Sequence, residues 1–274
     1  MKKTLAVGLV FIVIAAILSC RGAVSSPSAR PLHDTARSGP NSDPAGTSSP
    51  RPAVRTLQFS GYDWIVKASD RRVGPGPNYF SDSSDNVWID AQGQLHLRLT
   101  QRDGRWSCAE VVSVRSFGYG TYRFYLNTPV DNLDPQVILG MFTWDDDPAY
   151  SHREIDIEVS RWGQANNQNG QFVVQPYIHP QNIVRFQLPP DLQSSAHFFT
   201  WKPDNVFCQS LKGLSTTPPT PSLVIQQHLF TQDIPRAGGE NARINLWLMA
   251  GRPPTDGKET EIIISKFEFV ELSN

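Results

Sequence analysis

Arg153-Glu154-Ile155-Asp156-Ile157-Glu158-Val159 alternates carboxylate and aliphatic side chains with period two. That is the spacing of a β-strand, in which residues i, i+2 and i+4 share a face. Glu154, Asp156 and Glu158 then point one way, and Ile155, Ile157 and Val159 point into a core. A half-buried strand with an acidic outer face is the plainer account, and it fits poorly. Asp and Glu are depleted in strands, and a solvated face relieves repulsion by interleaving Thr, Lys or Arg. Crowded carboxylates raise at least one pKa, and groups so perturbed concentrate where acid–base chemistry is done. Cleavage of a glycosidic bond needs that asymmetry: one carboxyl group donates a proton to the leaving oxygen, and another, ionised, attacks or activates water.

Working outward, short β-rich runs recur between turn signals: Val87–Ile89, Leu95–Thr100, Ala109–Val114, Gly120–Leu126, Val137–Phe142, Ile155–Val159, Phe172–Ile178, His197–Trp201, Leu223–Leu229, Arg243–Met249 and Glu261–Val270. Long amphipathic helices are absent from the pattern, so the expected fold is all-β, a two-sheet sandwich. Residues 57–274 are enough for one such domain with a sizeable core.

The N-terminus reads as an export signal over residues 1–19: Lys2 and Lys3, an uncharged apolar run from Leu5 to Leu18, then Ser19 before Cys20. The run falls short of the roughly 20 residues a membrane helix needs. Ile17-Leu18-Ser19-Cys20 resembles a bacterial lipoprotein cleavage box, which makes Cys20 the expected lipidation site; an ordinary secretory signal with an incidental cysteine is the alternative. Residues 20–56 are rich in Ser, Pro, Ala, Gly and Arg and lack periodicity, the composition of a flexible tether. Seven basic and two acidic residues precede Leu57, so the remainder carries −6 of a chain whose net charge is −1. An acidic body without a basic stripe argues against a nucleic-acid partner. The positive tail either sits against membrane phosphates or is a solvated linker.

Several segments, in order, resemble glycoside hydrolase family 16, whose members are β-jelly-roll enzymes, concanavalin A-like, that cut β-glucans and related galactans in a concave cleft. The most specific is Glu154-Ile-Asp-Ile-Glu158. Around it Asn86-Val-Trp-Ile-Asp, Leu95–Thr100, Cys108-Ala-Glu110, Phe117-Gly-Tyr-Gly-Thr-Tyr122, Phe142-Thr-Trp144 and Asn245-Leu-Trp247 are similar to successive strands of the family. The resemblance implies that Glu154 is the nucleophile, Glu158 the general acid and then base, and Asp156 the residue that tunes the nucleophile, with retention of configuration through a covalent intermediate. Backbones four residues apart on a strand lie about 13 Å apart, whereas retaining chemistry wants carboxyl oxygens about 5 Å apart; converging side chains on a concave sheet would close that gap.

Sugar rings offer apolar faces edged with hydroxyls, so a binding cleft needs aromatic platforms rimmed by hydrogen-bonding groups. By family position Trp144, Trp247 and Tyr177 are the expected platforms, and Glu110, Gln175 and Asn245 the hydroxyl partners; any one Trp of a sandwich is as readily core. His152 either bonds the nucleophile or a sugar hydroxyl, or is structural. The segment Val206-Phe-Cys-Gln-Ser-Leu-Lys-Gly213 stands where the family has a Trp-Tyr-Val-Asp-Gly turn, and it lacks the Asp. With Cys20 lipidated, Cys108 and Cys208 either pair with each other or are two buried thiols.

No metal cluster is visible in the sequence and no cofactor is required. Asp145-Asp146-Asp147 reads as a solvated turn, and a structural calcium of the kind many family members carry would place a ligand near Glu268. The expected protein is thus a monomeric, exported endo-glucanase acting on a neutral β-1,3- or mixed β-1,3/1,4-linked polysaccharide, tethered to a membrane of the cell envelope by its lipid. A transglycosylase on a β-1,4 backbone is the enzymatic alternative, and a carbohydrate-binding envelope lipoprotein the non-catalytic one. An acidic cleft of this kind would repel sulfated polymers and leave neutral glucans unaffected by salt.

Overall fold

The computed structural model describes residues 54–215 and 220–272. The export signal, Cys20 and the tether lie outside them. Among the described residues, sixteen strands build two antiparallel sheets. The front sheet has β1 (Thr56–Phe59), β2 (Tyr62–Val66), β6 (Ala109–Ser116), β15 (Asn241–Leu248), β8 (Val137–Trp144), β9 (Ile155–Val159), β10 (Gly170–Val174) and β11 (Ile183–Phe186), in that spatial order. The back sheet runs β14 (Val224–Phe230), β13 (Val206–Lys212), β12 (Ser195–Trp201), β7 (Gly120–Leu126), β16 (Thr260–Glu271), β4 (Leu95–Arg102) and β3 (Val87–Ile89), with β5 (Arg105–Ser107) paired to β4.

Alternation decides which side of each strand meets the other sheet. Ile155, Ile157 and Val159 of β9 are buried in one continuous core with Leu139 and Met141 of β8, Ile244 and Leu246 of β15, and Leu97, Phe124, Phe199 and Ile262 of the back sheet. Burying each such side chain contributes about 1.5–3 kcal/mol, and a one-residue slip of β9 would exchange these aliphatics for three carboxylates. The register of the front sheet is therefore strongly specified. Its outer face carries the polar residues in between, and pairing lines them up in rows. One row reads Glu110, Asn245, Gly140, Glu158, Gln171, Arg185 across β6, β15, β8, β9, β10 and β11. The next reads Val112, Arg243, Phe142, Asp156, Val173, Ile183.

Two expectations are corrected by the fold, and one open alternative is decided. The run expected from Phe172 to Ile178 ends at Val174, because Pro176 has no N–H to continue a ladder. Residues 206–212 form strand β13 rather than a turn, and β13 lies in the back sheet. Cys108 and Cys208 are both free and buried, and burial pushes the Cys108 thiol up to about 12. They form no disulfide.

Candidate active site

The ledge of carboxylates begins one residue before β9. Glu154 is extended (φ −86°, ψ 123°), and it follows four consecutive non-glycine residues in the left-handed region, Tyr150, Ser151, His152 and Arg153, with φ between 52° and 64°. Such a conformation costs an L-residue roughly 1–2 kcal/mol, so surrounding contacts must hold it. They are dense. Arg153 Nη1 donates to Asp145 Oδ2 at 3.0 Å, the Asp145 N–H donates to the His152 carbonyl at 2.7 Å, and His152 Nδ1 donates to the Asp145 carbonyl at 2.8 Å. Thr143 of β8 donates its hydroxyl to the Arg153 carbonyl at 2.8 Å and accepts from the Ile155 N–H at 3.2 Å, fastening the chain on both sides of Glu154. Gly239 N–H also donates to Asp145 at 2.9 Å. Against the cost of burial, the N–H groups of Asp147 and Gly239, with Arg153, hold the Asp145 carboxyl below its usual range.

All three ledge carboxyls titrate high. Burial is the first cause for each. Glu154 is pushed up to about 8, with repulsion from Glu158 adding to burial. Asp156, beside both neighbours, is raised well above its ordinary value, and Glu158 is raised to about 6. A hydrogen bond with Asp156 works against these raising effects on Glu154. Gln175 Nε2 donates to Asp156 Oδ2 at 3.2 Å, and Gln171 Nε2 donates to Glu158 Oε2. The three titrate as one unit, in which burial and mutual repulsion disfavour ionising all of them together.

Three cations share this face, and sequence reasoning missed all of them. Arg243 pairs with Glu110 at 3.4 Å and Asp146 at 3.5 Å, and its charge lowers the Glu154 pKa. Lys67 Nζ meets Glu110 Oε2 at 2.8 Å. Arg185 donates from Nε to Gln171 Oε1 at 3.3 Å and lies over the Trp162 ring at 4.8 Å. They come from separate segments and converge only through register, so no local spacing announces them.

Of the expected binding residues, Gln175 reaches the ledge directly. Glu110 is fully buried, and its oxygens are taken by Lys67, Arg243 and Asn245; it serves as a counter-ion rather than as a rim acceptor for a hydroxyl. Asn245 is also buried, its Oδ1 without a partner and lying over the bare α-carbon of Gly140. Trp144 stacks on His152 with ring centroids 4.1 Å apart and planes within 9°, so His152 covers part of the ring expected as an open platform. Trp247 is partly buried and packs against the core. Tyr177 is partly exposed, and its N–H donates to Gln175 Oε1 at 2.9 Å. Glu268, the residue nearest an expected calcium, is bound by Arg123 at 2.9 Å, Lys266 at 2.8 Å and Tyr125 at 3.1 Å, and Lys266, first among these, helps bring its carboxyl down to about 2. An acid already neutralised by two cations does not fit a calcium ligand.

No family model matches the chain, and no curated protein matches its sequence. Among solved structures it is similar to a β-glucanase of Bacillus licheniformis (TM-score 0.55, 19% identity, covering 76% of this chain and 92% of that one). It is also similar to an immunostimulatory antigen and pseudo β-1,3-glucanase of Mycobacterium tuberculosis (0.56, 19%, 77% and 91%) and to a β-1,3-glucanase of Mycobacterium marinum (0.56, 15%, 81% and 93%). The fold is thus the jelly roll of β-glucanases.

Proposed function

We propose that the protein is a retaining endo-glycosidase that hydrolyses a β-1,3- or mixed β-1,3/1,4-glucan. The observation that carries this reading is the ledge itself: three buried carboxyls on one strand face, each raised above its ordinary pKa. Retaining hydrolysis needs Glu154 ionised to attack the anomeric carbon and Glu158 protonated to release the leaving oxygen. A proton held by Glu158 with the charge on Glu154 meets that need. The Asp156 hydrogen bond and the nearby Arg243 favour it by stabilising a Glu154 carboxylate. Glu158 then becomes the base that activates water, and Gln171 supports its carboxylate form. The glucan backbone is supported by the fold shared with β-glucanases, and attachment through Cys20 in the cell envelope by the sequence alone.

Release of reducing ends measured across laminarin, lichenan, xyloglucan, agarose and chitin tests the reading. Laminarin or lichenan is the expected substrate, and Glu154→Gln and Glu158→Gln should each lower its turnover roughly 10³-fold or more without unfolding the domain. Cleavage of none of the five, or parent-like turnover in either variant, contradicts it.

A further inference from the structure

The row that holds Glu158 continues outward through two residues the catalytic reading does not use. Gln171 faces Glu158 from the neighbouring strand, and Arg185 faces Gln171 from the edge strand beyond. Gln171 is buried, so its amide has no solvent to satisfy it. Arginine has donors and no acceptor. With Arg185 Nε on one side at 3.3 Å, the amide must turn its oxygen toward Arg185 and its NH2 group toward Glu158, and that is the observed arrangement. Trp162, under the guanidinium at 4.8 Å, fixes the plane of the donor. Arg185 makes no carboxylate ion pair among the described residues, in contrast to Arg243 with its two.

Resting on the reading of Glu158 as acid and base, we infer that Arg185 is a positioning residue, which orients the Gln171 amide as a donor to Glu158 and so sets the balance between its two catalytic forms. An NH2 group bonds the carboxylate of Glu158 more strongly than its acid form. Turned over, the same amide would present an oxygen and accept a hydrogen bond from the acid form. One guanidinium thus decides which half of the cycle the amide assists. It assists the second, in which Glu158 takes a proton from water. None of the other groups around Glu158 orients the amide. Glu154 and Asp156 lie along the same segment as Glu158, Gly140 across β8 has no side chain, Arg243 stands in the neighbouring row on the strand of Asn245, and Lys67 and Arg243 are both paired with Glu110 beyond Asn245.

Carboxyl 13C NMR titration of the full-length protein, with the Glu158 signal assigned by Glu158→Gln, reads the balance without needing turnover. Arg185→Met keeps the aliphatic packing on Trp162 and removes the donor, while Gln171→Met removes the amide. Each should raise the Glu158 midpoint by about one pH unit, the double variant should shift by less than the sum of the two, and Arg185→Lys, which keeps a donor, should restore most of the parent value. The basic limb of kcat/KM on an aryl β-glucoside should move with the midpoint. An unchanged midpoint in Arg185→Met, or full additivity in the double variant, overturns the relay. A shifted midpoint in a protein that cleaves no glucan would instead overturn the proposed reaction and leave the relay standing.

Discussion

Glu154 illustrates what the fold gives up to keep a reactive side chain. Its carboxyl binds a proton more tightly in the folded chain than in the unfolded one, first because it is buried and then because Glu158 repels it. A raised folded pKa contributes stability that is fully present below the unfolded value, about 4.3, and is lost as pH rises through about 8. Glutamine cannot ionise, so Glu154→Gln escapes that loss. The melting temperature of the variant should exceed the parent's by several degrees at pH 8.5 and by little at pH 4.5, since 1 kcal/mol corresponds to roughly 2–4 °C in a domain of this size. Calorimetry at the two pH values checks it, and an equal difference at both would show that the carboxyl is not strained by its surroundings. The period-two pattern made these acids legible as a ledge. It could not show how their protons are shared, because that depends on Gln171, Gln175 and Arg243, donors from the β10 segment and from β15.

At the scale of elements, β9 is placed by the left-handed run before it. The run expected at Ile155–Val159 is strand β9 with those bounds, and Glu154 lies just before it. No glycine marks the change. Tyr150 to Arg153 adopt positive φ because Asp145, Thr143 and the 238–239 backbone over-determine them, which is tertiary information. Gly238 is part of that clamp: a Cβ there would lie 2.3 Å from Arg153 Nε. Gly238→Ala should therefore push the guanidinium off Asp145, costing about 1–3 kcal/mol and lowering kcat about tenfold or more, because Glu154 follows directly. Chemical denaturation and steady-state kinetics together read this, and a stable variant with parent-like kcat would mean that the clamp does not position the nucleophile. Elsewhere, legibility followed hydrophobic contrast. β3, β7 and β9 end where the pattern ends, whereas the four-residue β1 and β11 and the mixed Val206–Lys212 strand lack a clean alternation and pass for turns or linker.

For the whole molecule, the fold class was written in the spacing of short β-rich runs, and the jelly roll follows from how they pair. The electrostatics were not. A body charge of −6 suggested a negative cleft that repels polyanions, yet burial raises the pKa of all three ledge carboxyls, and Lys67, Arg185 and Arg243 bring positive charge to the same face. Repulsion thus loses its force as a reason to reject sulfated polymers, and weak dependence on salt would instead reflect charges balanced within the site. What unites the scales is the division of labour between two glutamates four residues apart, and azide rescue tests it most directly. With an activated aryl β-glucoside as substrate, azide should restore turnover to Glu154→Ala as the α-glucosyl azide, because the nucleophile's side of the sugar is vacated, and to Glu158→Ala as the β-glucosyl azide, because the covalent intermediate still forms. The α-azide produced by Glu158→Ala, or no azide product from either variant of an active parent, would contradict the assignment.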